Sequence, residues 1–380
     1  MKTNIFFTII LTACITFSGI AQVKVTDAET DLKSIMKKFE VVGLSVAVVK
    51  KGELIYSNAF GLKDIGKNTL LSGDDIFRIA SISKSFSATA IMQLVDTGKI
   101  ALSDDFSDLV GFKVRNPKFP NTVITLKMVM SHTSSINDSE GYFNLDVINP
   151  EKNVNSAKCY NDYEPGKGYR YCNLNYNMVG AVIEKISGER FDQYVKHHIL
   201  DKLGLYGGYC VDSLDASRFA TLYEYDAVSK KFNTAASAYV PRSEEIRNYV
   251  MGYSTPVFSP TGGMKISAVD LAKYMRMHMY FGKYKGGRIM SKKRAKLMQT
   301  KVSDEEGYGL AILTTEDMIA GKIMKGHTGS AYGLYSAMFF QPDEKFGIVI
   351  ITNGCNPTYT RGFPDLTRAA VNSLYQHFIK

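Results

Sequence analysis

The chain has 380 residues, of which 45% are hydrophobic and 22% are charged, and its formal net charge is +9 at pH 7. This composition excludes a disordered chain and is typical of a globular protein with a large core. Because the lysines are scattered among acidic residues, the positive charge indicates a solvated surface, one compatible with an anionic cell envelope. It does not indicate a nucleic-acid-binding surface, which would have its basic residues clustered.

The first predicted element is an export signal over residues 1–21. Lys2 gives a positive start, the following sequence is almost uninterruptedly apolar, and small residues before Gln22 form a cleavage site. An uncleaved anchor is one alternative, although the run is short for a bilayer span. Lipidation at Cys14 is another, but the sequence after that residue stays apolar. We therefore expect an exported protein, periplasmic or secreted, whose folded part is residues 22–380.

Next along the chain, a β-hairpin is predicted over residues 42–60. Two apolar, β-branched runs meet there at Lys50-Lys51-Gly52. A buried helix is predicted over residues 81–97, because apolar residues recur at helical spacing and Gly98 follows as a natural stop.

Helical patterns dominate residues 103–250, for example over residues 175–186 and 191–203. The C-terminal part returns to strands and ends in an amphipathic helix, with predicted bounds 308–314, 333–341, 346–353 and 363–379. Strands at both ends with helices between them predict an α+β fold. In this fold both chain ends form one antiparallel sheet, flanked by helices, and a mostly helical subdomain is inserted.

Four cysteines follow the predicted signal: Cys159, Cys172, Cys210 and Cys355. An even number in a chain bound for an oxidising compartment predicts disulfides, and four thiols allow three pairings that the sequence leaves open. Cys159 and Cys172 are close enough in sequence to form a local staple. No Cys-x-x-Cys motif or His/Cys cluster is present, so no metal site is predicted.

The first candidate site is Ser-x-x-Lys, formed by Ser81 and Lys84 at the predicted helix start. At a spacing of three the side chains share a face, so the amine lies beside the hydroxyl. A helix start also lowers the pKa of a lysine and supplies an oxyanion donor. The spacing is weak evidence by itself, because Ser34 and Lys37 repeat it without any other catalytic feature.

The second candidate is Tyr-x-Asn, formed by Tyr171 and Asn173. A tyrosine near a lysine can be partly deprotonated and act as a general base. The side-chain amide of Asn173 can bind the lysine and the substrate. The pattern recurs at Tyr56 and Tyr142, and for any single copy a turn or a packed aromatic ring is the simpler interpretation.

The third candidate is His327-Thr328-Gly329-Ser330, which lies between strand signals near the C-terminus. A hydrogen-bonding side chain on an edge strand can orient the polar end of an acyl substrate, while Gly329 lets the backbone approach. The N–H of Ser330 can be a second oxyanion donor beside that of Ser81. Considered alone, His327 would more often be a structural histidine.

In this order the three motifs resemble the serine β-lactamase and penicillin-binding superfamily. The resemblance spans about residues 42–353 and includes surrounding blocks: Phe77 to Lys84, Ser131 to Ser134, Pro165-Gly166 before the tyrosine motif, and Gly262-Gly263 before Ser267 to Leu271. Tyr-x-Asn and His-Thr-Gly are similar to the class C, esterase and D-amino-acid-peptidase branch. They are unlike class A, which pairs Ser-Asp-Asn with a glutamate base.

Three positions depart from that family's pattern. Ser135 stands where glycine is usual, which affects a turn, and Cys172 stands where serine is usual inside the tyrosine motif. His327 replaces a lysine. Since histidine is largely neutral at pH 7, this last change favours esters or other uncharged acyl groups over substrates that carry a carboxylate.

The resemblance implies a serine hydrolase, an esterase or amidase, that acts through an acyl-enzyme on an ester or amide bond of a small-molecule or peptide-like substrate and needs no cofactor. Ser81 would attack the carbonyl, and which of Lys84 and Tyr171 is the base stays open. Asn173 and the His327-Thr328-Gly329 segment would bind the substrate. A class C-type β-lactamase or D-Ala-D-Ala carboxypeptidase is the alternative activity.

Other classes of protein fit the sequence less well. A penicillin-binding sensor or binding module with little turnover is the alternative that is not an enzyme. The presence of the motif serine, lysine, tyrosine and asparagine argues against an inactive site. An α/β-hydrolase or a zinc peptidase fits the sequence poorly, because neither Gly-x-Ser-x-Gly nor His-Glu-x-x-His occurs in it.

Overall fold

Seven strands from both ends of the chain form one antiparallel sheet in the computed structural model, which describes residues 25–380. The strands are β1 (Gly43–Lys50), β2 (Glu53–Asp64), β3 (Thr69–Leu70), β4 (Leu313–Ile319), β5 (Lys322–Ala331), β6 (Leu334–Gln341) and β7 (Phe346–Thr352). Their spatial order is β4-β5-β6-β7-β1-β2-β3. The N-terminal hairpin therefore completes a sheet that the C-terminal strands begin, which confirms the predicted architecture.

The centre of the sheet is the pairing of β1 with β7, which runs from Leu44 opposite Thr352 to Lys50 opposite Phe346. Helices cover both faces, so these strands are almost entirely apolar. Because successive side chains alternate between faces, Val46 and Val48 pack in one hydrophobic cluster while Ala47 packs in the other.

Five longer helices surround the sheet: α1 (residues 25–38), α2 (Ser83–Asp96), α3 (Asn173–Ser187), α4 (Ala268–Met279) and α5 (Asp365–Leu374). Residues of α1 and α5 join the cluster on one face, and residues of α2, α3 and α4 join the cluster on the other. Shorter helices span Phe106–Val110, Leu126–Met130, Phe191–Val195, Asp201–Leu203, Ser243–Arg247 and Lys292–Met298. Within residues 25–380, no helix is both long and apolar enough to cross a membrane.

The inserted region, residues 103–250, consists mainly of helices and turns, with one hairpin formed by Tyr223–Asp226 and Lys231–Thr234. Other short strands are Phe77–Arg78, Gly207–Gly208, Lys265–Ile266, Lys283–Tyr284, Gly287–Arg288, Tyr359–Thr360 and Phe363–Pro364. The predicted export signal, residues 1–21, lies outside the described residues.

Several predicted element boundaries differ from the structure; for example, the second strand of the hairpin ends at Asp64 rather than at residue 60. The strand predicted from residue 308 begins at Leu313, because the preceding residues form a turn in which Ala311 has a φ of 62°. The helix predicted from Ser81 begins at Ser83, and Ser81 itself lies in the 3-10 turn Ala80–Ile82.

The predicted staple between Cys159 and Cys172 is wrong, since all four cysteines among the described residues are free and buried. The Cys159 thiol donates to the carbonyl of Val147 at 3.3 Å, whereas the Cys172 thiol donates to Asp138 at 3.1 Å. Burial raises the pKa of Cys159 to about 11 and raises the pKa of Cys172 as well, so both thiols stay protonated at neutral pH.

Candidate active site

Ser81 lies on a strained turn that the C-terminal strands hold against α2. The preceding Ala80 has a φ of 49°, a left-handed conformation that costs roughly 1–2 kcal/mol when a Cβ is present. The Ser336 hydroxyl of β6 donates to the carbonyl of Ile79 at 3.0 Å, and a Cβ at Gly329 would collide with that same oxygen. Gly329 therefore lets β5 lie directly against the turn that carries Ser81.

Lys84 is fully buried one turn further along α2, and its amine has three hydrogen-bond partners. Nζ lies 3.1 Å from the Ser81 hydroxyl, 2.9 Å from the side-chain oxygen of Asn173 and 3.0 Å from the carbonyl of Thr261. Burial lowers the pKa of Lys84 to about 7, and the negative charge of Asp138 opposes that shift. Burial, rather than the helix start expected from the sequence, is therefore the main cause.

The three hydrogen-bond partners of Lys84 differ in whether they can donate a hydrogen bond to its amine. The carbonyl of Thr261 only accepts, and the Asn173 oxygen is fixed as an acceptor because its amide nitrogen donates to Asp138 at 3.1 Å. A neutral amine has two N–H donors, which suit these two oxygens, and one lone pair. Since only the Ser81 hydroxyl can donate to that lone pair, the neutral form of Lys84 has the geometry of a general base.

Tyr171 lies on the other side of the amine, with its ring centroid 4.7 Å from Lys84 Nζ. Its hydroxyl oxygen is buried and has no hydrogen-bond partner of regular geometry among the described residues. Burial raises the pKa of Tyr171, and the nearby Ser81 hydroxyl offsets only part of this effect. The hydroxyl is therefore protonated at neutral pH, in contrast to the partly deprotonated tyrosine expected from the sequence.

His327 lies on β5 and is held between two neighbours. Nδ1 donates to the carbonyl of Thr328 at 2.5 Å, so Nε2 accepts from the Tyr308 hydroxyl at 3.1 Å. Burial lowers the pKa of His327 to about 4, and the charge of Lys84 adds to this effect. The imidazole is thus neutral at pH 7 and supplies no positive charge to a substrate.

The family relationship rests on residues 29–371, which match the sequence model of the Beta-lactamase family. The chain belongs to the β-lactamase family. It is 27% identical over 353 residues to penicillin-binding protein 4 of Amycolatopsis lactamdurans, covering 88% of this chain and 86% of that protein.

Two solved structures of this fold are similar to the β-lactamase-family chain. One is the octameric penicillin-binding protein homologue from Pyrococcus abyssi, with a TM-score of 0.72 and 25% identity over 93% of this chain and 77% of the other. The other is EstCE1, a hydrolase with promiscuous acyltransferase activity, with a TM-score of 0.72 and 21% identity over 92% and 99%. The predicted superfamily and fold are confirmed, and the chain is a β-lactamase-fold serine hydrolase relative.

The candidate site of this β-lactamase-family protein opens into a cavity of about 700 Å³. Of the predicted site residues, Ser81, Tyr171, His327, Thr328 and Ser330 line the cavity, whereas Lys84, Asn173 and Gly329 do not. The charged residues of the remaining wall are mostly acidic, with Asp304, Glu305, Glu306, Glu316 and Asp317 against Lys301 and Arg361. Arg361 pairs with Asp317 at 3.0 Å. Acidic groups therefore outnumber basic ones in the cavity, although the whole chain is positive.

The sequence did not single out Asp138, which organises the start of α3. Its carboxylate accepts from the backbone N–H groups of Asn173 at 2.8 Å and Leu174 at 2.9 Å, and it also orients the Asn173 amide. Thr261 and Tyr308 were missed in the same way. No local pattern marks these residues, because each contact joins segments that are far apart in sequence. Among residues 25–380, no group of three or more metal-ligating side chains is found.

Proposed function

We propose that the protein is a serine hydrolase that forms an acyl-enzyme at Ser81 and acts mainly on esters. The observation that carries the proposal is the contact between the Ser81 hydroxyl and a buried amine whose other two partners can only accept. Of the three hydrogen-bond partners that Lys84 has in the described part of the chain, Ser81 is the one that can give a proton to the neutral amine.

In the proposed acylation step, the Ser81 oxygen bonds to the substrate carbonyl carbon while its proton passes to Lys84. The N–H groups of Ser81 and Ser330 stabilise the oxyanion. As the bond to the leaving group breaks, Tyr171 gives its proton to the departing oxygen or nitrogen, and Lys84 returns a proton to Tyr171.

In the second step water attacks the acyl-enzyme, and Lys84 again takes the proton. The carboxylic acid product is released when its bond to the Ser81 oxygen breaks and that oxygen takes up a proton again. The protonated hydroxyl of Tyr171 and the near-neutral pKa of Lys84 support this division of roles. These observations support Lys84 as the base in this proposal.

The charge of the cavity supports an ester rather than a β-lactam or a peptide carboxylate as substrate. His327 is neutral where a lysine would pair with a carboxylate, and the acidic wall repels a second negative charge. The similar fold of EstCE1, described as a hydrolase with promiscuous acyltransferase activity, is compatible with a hydrolase that forms an acyl-enzyme. Class C-type β-lactamase or carboxypeptidase activity, and a penicillin-binding sensor, are the alternatives that the test below separates.

The test compares Ser81→Ala with Ser34→Ala, which removes the serine of the second Ser-x-x-Lys pattern on an exposed part of α1. The substrates are a neutral short-chain p-nitrophenyl ester, its hemisuccinate counterpart and a chromogenic cephalosporin. Intact mass after treatment with a fluorophosphonate reports the nucleophile.

We expect one phosphonate adduct, fast turnover of the neutral ester and slow turnover of the two anionic substrates. Ser81→Ala should lose both adduct and turnover, while Ser34→Ala keeps them. Full activity in Ser81→Ala would overturn the proposal. A stable cephalosporin adduct without ester turnover would establish the sensor instead, and faster cephalosporin than ester hydrolysis would establish a β-lactamase.

A further inference from the structure

His132 lies under the candidate site, with no exposed side-chain surface, and it contacts the chain on both sides of Tyr171. Its backbone carbonyl accepts from the N–H of Arg170 at 2.9 Å, and its Nδ1 accepts from the N–H of Cys172 at 3.2 Å. Between these two bonds, the imidazole packs against the Tyr171 ring with the centroids 4.4 Å apart. One residue therefore holds the backbone before and after Tyr171 as well as its ring.

The hydrogen bonds define which ring nitrogen of His132 carries the proton. Nδ1 faces two donors, the N–H of Cys172 and the amide nitrogen of Asn175 at 3.4 Å, so it must be the unprotonated acceptor. Burial lowers the pKa of His132 far below its usual value, with further contributions from Lys84 and His327, so the ring is neutral. The proton is then on Nε2, which is buried without a partner among the described residues.

This arrangement is costly for the folded state. A buried donor without a partner destabilises the folded state, because its hydration is lost and not replaced. His132 also has a φ of 61°, a left-handed conformation that is strained for a residue with a Cβ. Such features persist where the surrounding structure enforces them, and they concentrate at functional sites. A residue needed only to fill the core would not require either of them.

We infer that His132 is a positioning residue that holds the Tyr171 hydroxyl in line with the leaving group, by fixing the backbone on both sides of Tyr171 and supporting its ring. The inference rests on the proposed role of Tyr171 as proton donor. It explains what places the Tyr171 ring beside Lys84, because the Tyr171 hydroxyl has no hydrogen-bond partner of regular geometry among residues 25–380.

The test uses two amide substitutions that differ in where they place an acceptor. Nδ1 of histidine and the side-chain oxygen of asparagine are both two bonds from Cβ, so His132→Asn keeps the acceptor for the N–H of Cys172. His132→Gln moves its oxygen one bond further out and loses that acceptor. Asparagine also tolerates positive φ. His132→Ala is the second loss variant if the glutamine variant does not fold.

Each substitution is made in the wild-type chain and in Tyr171→Phe, and kcat/KM is measured for an ethyl ester and a p-nitrophenyl ester of the same acid. Ethoxide needs a proton to leave, whereas nitrophenolate does not, so only the ethyl ester depends strongly on the proton donor. Phosphonate titration counts active sites, and thermal unfolding reports stability.

We expect His132→Gln to lower kcat/KM about 10- to 100-fold for the ethyl ester and less than about threefold for the nitrophenyl ester, as for a slightly misplaced catalytic group. His132→Asn should recover most of the loss. In the Tyr171→Phe background, the glutamine substitution should change the ethyl ester rate less than about twofold, because the two residues act as one unit.

If His132→Gln lowers kcat/KM equally for both esters, or equally in the wild-type and Tyr171→Phe backgrounds, the role of His132 is structural. That result would overturn the inference and leave the proposed function intact. If Tyr171→Phe hydrolyses the ethyl ester at the wild-type rate, the proposed role of Tyr171 fails and the inference fails with it. A lack of phosphonate labelling in the wild type would instead contradict Ser81 as nucleophile.

Discussion

The acylation rate should follow the protonation of Lys84 across neutral pH. The amine is fully buried beside the Ser81 hydroxyl, and its pKa is lowered to about 7. Only the neutral form can accept the serine proton, so the rate should rise as pH passes through this value. If the pKa is 7, the neutral fraction is about 9% at pH 6 and about 91% at pH 8, which predicts a rise of about tenfold.

The same reasoning gives the effect of replacing the base. Lys84→Arg keeps a cation of similar length, but a guanidinium does not lose its proton in this pH range. Acylation should therefore fall by about 10²- to 10⁴-fold, the range for removal of a general base. Lys37→Arg, in the second Ser-x-x-Lys pattern, is the matched control and should have wild-type activity.

The assay is single-turnover acylation by the neutral nitrophenyl ester, followed as nitrophenolate release between pH 5.5 and 9.5 at constant ionic strength. The rate should reach a plateau above about pH 8. A rate that is flat from pH 6 to 8 would refute Lys84 as the titrating base. A rate that still rises steeply above pH 9 would favour Tyr171, because burial raises the pKa of that hydroxyl.

Two further outcomes follow from the residues around this centre. Asp138→Asn should move the midpoint of the acylation profile to lower pH, because the negative charge of Asp138 raises the pKa of Lys84. It should also lower the free energy of unfolding in urea by about 1–3 kcal/mol, since Asp138 accepts two backbone N–H groups of α3; a midpoint at higher pH would contradict the assigned electrostatics. Iodoacetamide without reductant should alkylate all four cysteines of the described chain after denaturation and label them slowly in the native state, because all are free and buried. Protection of any pair after denaturation, seen by peptide mass, would instead reveal a disulfide.

Local patterns in the sequence predicted much of the architecture. The two apolar, β-branched runs and the turn at Lys51-Gly52 predicted the hairpin of β1 and β2. The spacing of Ser81 and Lys84 predicted that their side chains lie side by side, and Lys84 Nζ is 3.1 Å from the Ser81 hydroxyl. The resemblance to the superfamily then linked Tyr171 and His327 to the same site, and the structure brings their side chains together.

Properties that depend on the folded environment could not be predicted from local sequence patterns. The pKa of Lys84 comes from burial among residues far along the chain, and the backbone contact of Asp138 with Asn173 joins positions 35 residues apart. The Cys159–Cys172 staple failed for the same reason. Closeness in sequence says little about side-chain direction, and the two thiols donate to different acceptors, the carbonyl of Val147 and the carboxylate of Asp138.

The bond from Ser336 to the carbonyl of Ile79 joins residues 257 positions apart, so the turn that bears Ser81 is held in place by one of the last strands of the chain. Closing a loop of this length costs about 5 kcal/mol of chain entropy, and contacts of such high sequence separation make folding slow. The strained conformation of Ala80 has little support until β5 and β6 dock. We therefore expect Ser81, the proposed nucleophile, to gain its reactive geometry late in folding, since a chain that lacks β5 and β6 also lacks the contact that holds this turn.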